Sequence, residues 1–163
     1  MNLMRLWQRL PPLVDSQVGL LRDEVAGVLD RQGVAVSEAA DRECMLFVLW
    51  SVHVGVVNMR PGITRNILMW LHKRKIKQTA KAQDRDLVAL YERRLIEVLF
   101  VIKNIIVERT EQGLAPPLSR RTARMFLKNI STEVGGAHPD LLDEVLLILR
   151  RRSSACAERL LAA

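Results

Sequence analysis

Cysteine is scarce in this 163-residue chain: there are two, Cys44 and Cys156. They are far apart and in no metal-type spacing, so a disulfide scaffold is excluded and reduced thiols are expected. Glycine and proline are also few, eight and six, while 49% of the residues are apolar. That composition excludes a disordered chain and gives one domain enough apolar surface for a real core. A membrane-spanning run is missing. The longest nearly apolar stretch, Cys44 to Val57, is fourteen residues and includes Ser51 and His53, whereas a spanning helix needs about 20. Arg5 and Arg9 interrupt the apolar N-terminus and no small-residue cleavage site follows, so no targeting segment is expected and a cytoplasmic location is.

Catalytic signatures are absent as well. There is no glycine-rich phosphate loop, no G-x-S-x-G and no H-E-x-x-H, so no enzyme, no cofactor and no metal site are expected. Three histidines occur. His53 lies within the apolar run and reads as a hydrogen-bonded core residue, His72 as solvated, and His138 as part of a helix start before Pro139. Cys44 reads as a small buried hydrophobe rather than a nucleophile.

What is present is period-3.6 patterning almost throughout, which predicts an all-α bundle of about six to seven helices in a single domain, 1–163. A short helix over 2–10, stopped by Pro11-Pro12, is expected to pack loosely. Asp15 or Ser16 then caps a helix with Val18, Leu21, Val25, Val28 and Leu29 on one face and Gly33 near its end. Ser37 is the expected cap of a central helix over 38–59, apolar nearly all round. Its stretch 52–57 is β-branched and alternating but is read as helix, because the apolar run continues without a turn signal. Pro61 opens a helix with Ile63, Ile67, Trp70 and Leu71 on its apolar face. A second central helix is predicted over 84–111, its second apolar side, Ile96, Phe100 and Val107, offering a seam for a homo-oligomer. Ser119 caps a helix ending at Gly135-Gly136, and Pro139 opens the last.

Charge is uneven. The net charge is +7, and no acidic residue lies between Glu43 and Asp84. Residues 60–81 alone carry seven basic groups, among them Lys73, Arg74, Lys75 and Lys77. Cations at a helix C-terminus are stabilised by the macrodipole, so a solvated helix end explains part of this cluster. Arg120, Arg121, Arg124 and Lys128 differ. At 3.6 residues per turn they share about a 100° sector, away from Ala123, Phe126, Leu127 and Ile130. Three of them also sit at the helix start, where the dipole disfavours cations, so an acidic neighbour within the fold, an acidic protein partner or phosphate is expected beside them, the remaining alternative being a plain solvated face. Arg150-Arg151-Arg152 either adds to this surface or ends a helix that breaks at Ser153-Ser154.

These eight residues are the candidate site, expected to bind nucleic acid through its phosphates with little base readout, either alone or as a small subunit of a larger nucleoprotein assembly. The competing reading is a protein-interaction or oligomerisation module that meets an acidic or apolar partner. A membrane surface is the weaker alternative, kept open by Met69 and Trp70 beside the charges. The predicted centre of the bundle, 44–57 against 95–106, makes Leu99→Ala cost about 2–5 kcal/mol in urea unfolding; a surface-like change would place this helix elsewhere.

Overall fold

Every regular element is a helix among the residues described in the computed structural model, which are 3–57, 62–83, 86–93, 118–131 and 139–161. The helices are α1 (Leu3–Arg31), α2 (Ala40–Val57), α3 (Ile63–Gln83), α4 (87–93), α5 (Arg120–Ile130) and α6 (Pro139–Leu161). The chain is an all-α bundle, and the stretch 52–57 is helical to Val57.

Fourteen of the 18 residues of α2 are buried. A helix apolar on all sides has to be covered on all sides, and α2 packs against α1, α3, α5 and α6. α6 closes the bundle against α1, α2 and α5. Ion pairs Arg31–Glu144 and Arg151–Glu24 set the start of α6 beside the end of α1, so the two run antiparallel.

The end of α1 follows its sequence. Gly33 adopts a left-handed φ of 65°. Its N–H bonds the Asp30 carbonyl at 3.0 Å and that of Val34 bonds the Leu29 carbonyl at 2.9 Å, a Schellman cap that only glycine fits without strain. The start of α1 does not follow its sequence. The helix runs straight through Pro11 and Pro12, so there is no separate helix 2–10 and neither Asp15 nor Ser16 is a cap. An internal proline costs roughly 3 kcal/mol through a lost hydrogen bond and a ring clash. Buried Leu10, Val14, Gln17 and Leu21, spaced four, three and four apart, carry one core stripe across the prolines and offset that cost.

Four further corrections have equally local causes. α2 starts at Ala40, not at Ser37: the Ser37 N–H instead bonds the Ile130 carbonyl at 2.9 Å, tying the α1–α2 turn to the end of α5. α5 stops at Ile130, with Ser131 extended and its N–H returned to the Leu127 carbonyl. α6 continues through Ser153-Ser154 to Leu161. Two serines cost only about half a kcal/mol each in a helix, and the buried stripe of Val145, Leu149, Ser153, Cys156 and Ala157 runs on regardless.

The fourth concerns α3, which is rotated relative to expectation. Leu68, Leu71, His72, Ile76 and Thr79 are buried, while Ile63 and Trp70 are exposed. Of the expected stripe, Leu71 is buried and Ile67 packs partly buried on the core, whereas the line of Ile63 and Trp70 would continue into Lys73, Arg74 and Lys77. Taking those cations out of water costs more than leaving two apolar side chains in it. Most of the predicted helix 84–111, including Leu99 and the seam Ile96, Phe100 and Val107, lies outside the described residues.

Leu49, in the middle of α2, is fully buried. Leu49→Ala is expected to cost about 2–5 kcal/mol in urea unfolding, against a change within about 0.5 kcal/mol for Leu147→Ala at an exposed position of α6.

Candidate functional site

α5 begins where the sequence places it. The Ser119 hydroxyl accepts from the Thr122 N–H, and the Thr122 hydroxyl accepts from the Ser119 N–H, satisfying two groups at the helix start. Ala123, Phe126, Leu127 and Ile130 are buried, with Phe126 edge-on to Phe47 of α2 at 5.9 Å. The opposite face therefore points outward, and Arg120, Arg121, Arg124 and Lys128 are all exposed.

They are not equivalent. Arg120 donates through Nε to Asp143 at 2.7 Å and through Nη2 to the other carboxylate oxygen. This pair joins α5 to α6, and the guanidinium holds the Asp143 carboxyl below the usual carboxylate range. Arg120 is thus a cation with an acidic neighbour inside the fold. Arg121, Arg124 and Lys128 form no ion pair among the described residues, and α5 contains no acidic residue.

The arginine triplet of α6 is committed internally. Arg150 donates to the Leu118 carbonyl at 2.8 and 3.2 Å, fixing the backbone just before the α5 cap. Arg152 binds both carboxylate oxygens of Glu24, and Arg151 reaches the same carboxylate at 2.8 Å. Glu24 titrates below its ordinary range, chiefly because Arg152 hydrogen-bonds it. The triplet joins α6 to α1 and to the start of α5 and does not extend the α5 basic face.

The α3 cluster divides similarly. Lys75 bridges to Asp15 of α1 at 3.1 Å, with its side chain largely covered. Lys73, Arg74 and Lys77 are exposed, and the Arg74 guanidinium lies 5.6 Å from the centre of the Trp70 ring. α3 and α5 each pack on α2 but not substantially on one another. Of the eight candidate residues, two are thus taken by Asp143 and Asp15. The other six form two separate exposed faces.

The titratable interior holds a group that the sequence reading misplaces. His72 is buried, not solvated. Its Nε2 pairs with the Tyr91 hydroxyl at 3.0 Å, and its ring packs beside that of His53 at 5.7 Å between centroids. Burial first, then His53, pushes His72 down to about 3. Burial, then Lys73, lowers the half-buried His53. A Leu68–His72–Ile76 spacing of four was the available signal, outweighed by the lysines beside it. Burial also pushes the thiols of Cys44 and Cys156 up to about 12, so neither is a nucleophile at neutral pH. Between α2 and α5 a cleft of about 30 Å³ lies against Phe47, Trp50, Met125 and Phe126, with Asn129 bonded to Glu43 at its side. That volume suits one or two waters rather than a substrate. What the arrangement offers chemically is charge: fixed guanidinium and ammonium groups facing outward.

The buried His72 sets a pH dependence. Its folded pKa lies below the unfolded value, so its contribution is intact at pH 7. It is lost as pH falls from about 6.5 toward 3, by up to about 1.4 kcal/mol per unit, with His53 acting in the same direction. The Glu24 and Asp143 pairs weaken only at lower pH. Urea unfolding from pH 7 to 5 should therefore show a slope that His72→Gln makes shallower by close to one proton.

No family model, no curated protein and no solved structure matches this chain.

Proposed function

We propose that this chain is a non-enzymatic helical module that binds nucleic acid through its phosphates. Arg121, Arg124 and Lys128 bind the phosphates principally, and Lys73, Arg74 and Lys77 form a second basic face. The supporting observation is the outer side of α5: three exposed cations on one sector, without an ion pair among the described residues, on a helix with no carboxylate. The dipole at the start of α5 opposes Arg121, so local helix stability gives no reason for it. Guanidinium groups on a rigid helix suit bidentate binding of phosphate oxygens. Arg120 has a supporting role: with Asp143 it holds α5 on α6, so that its neighbours project from a fixed base.

Phosphate binding positions a protein without reading sequence, so affinity should vary little with base composition and fall steeply with salt. The triple variant Arg121→Ala, Arg124→Ala, Lys128→Ala should unfold in urea like the parent or slightly later. Its affinity for a duplex oligonucleotide should fall, and the slope of log affinity against log salt should become shallower by about 0.9 for each phosphate no longer neutralised. A folded variant that binds with the parent's affinity and slope would move the function to an acidic protein partner. Arg120→Ala is expected to change stability only slightly, because its pair with Asp143 is exposed, and to weaken binding less than the triple variant does.

A further inference from the structure

The rotation of α3 leaves an outer face with a composition of its own. Ile63 is 79% and Trp70 55% exposed. At 3.6 residues per turn both lie on one line, two turns apart, which continues into Lys77, with Lys73 and Arg74 on either side. The five side chains share about a 100° sector and extend over about 21 Å of helix. The sequence of α3 contains no carboxylate. The face is therefore apolar at one end and cationic at the other, while the opposite side of α3 is held by α1 and α2.

We infer that this face of α3 docks on a membrane surface rich in anionic phospholipid. Single exposed apolar residues are ordinary on soluble proteins. Two aligned on one helix face, continued by three cations on a helix without a carboxylate, match a lipid interface, where apolar groups enter the acyl boundary and cations meet the headgroups. Trp70 fits the interfacial layer, which favours an amphipathic ring, and the guanidinium of Arg74 over that ring places a headgroup-binding cation beside it. Single-stranded nucleic acid would use Trp70 and the cations but has no group for Ile63, because an aliphatic side chain offers no stacking surface. The site is separate from the α5 face, and docking needs no rearrangement of the bundle. With two apolar side chains and three charges, attachment is reversible and peripheral; among the described residues no helix is long and apolar enough to cross a bilayer.

The test is co-sedimentation of the full chain with vesicles of phosphatidylcholine alone or mixed with phosphatidylserine. The parent should bind the mixed vesicles and leave the neutral ones. Ile63→Ser with Trp70→Ser, in a variant shown to be folded by urea unfolding, should weaken binding by about tenfold or more without changing net charge. Lys73→Gln, Arg74→Gln and Lys77→Gln should each weaken it about fivefold. The triple α5 variant should retain the parent's vesicle binding, which separates this surface from the principal nucleic-acid face on α5. Three results would overturn the inference: no binding to mixed vesicles, unchanged binding by the Ile63/Trp70 variant, or loss in the α5 variant instead. Loss of oligothymidine binding by Trp70→Ser, with vesicle binding unchanged, would make the face a base-stacking platform.

Discussion

The enclosure of α2 governs the rest of the molecule. From Glu43 to Val52 every residue of this helix is buried, in all directions around its axis. Such a segment is insoluble by itself, and covering it requires neighbours on every side. α1, α3, α5 and α6 supply them, and each gives up its most apolar compatible face to do so. What remains outward on these covering helices is then determined: cations on α5, a mixed stripe on α3, and on α6 charged residues of both signs with Leu147 among them. The candidate surfaces follow from what the core excludes.

Ion pairs set the order around that core. Glu24 with Arg151 and Arg152, Asp15 with Lys75, Arg120 with Asp143 and Arg31 with Glu144 each connect two different helices. Exposed pairs such as Arg120–Asp143 add little to stability. Their effect is on register, since a carboxylate between two guanidinium groups specifies which turn of α6 meets which turn of α1. The same pairs divide the basic residues into those spent on architecture and those facing solvent, a division invisible in the net charge.

The helical class was legible because periodicity is local, and so were the Ser119 cap, the Gly33 terminus and the start of α6 at Pro139. The errors share one origin. Pro11-Pro12 breaks and Ser153-Ser154 slightly weakens a helix in isolation, but here a core stripe crosses both. Ile63 and Trp70 are large apolar residues, yet the cations that continue their line, and the competing stripe of Leu68, Leu71, His72 and Ile76, decide which way α3 faces. His72 sits among lysines in the sequence and opposite Tyr91 in space. The partners of Arg152, Lys75 and Arg120 lie 128, 60 and 23 residues away, beyond the reach of any window read along the chain. Of the eight candidate cations, the exposed placement of the α5 face was readable from helical spacing. The capture of Arg120 and Lys75 by carboxylates was not.

The hydrogen bond from the Ser37 amide to the Ile130 carbonyl couples two parts of the chain that share no element. The last carbonyls of a helix lack partners within it, and here a loop supplies one. The amide proton of Ser37 consequently exchanges with solvent only when the turn and the last residue of α5 separate. Its exchange rate reports that local opening rather than unfolding of the bundle. Any ligand that stiffens α5 slows it, so this one backbone proton registers events on the basic face from the far end of the helix.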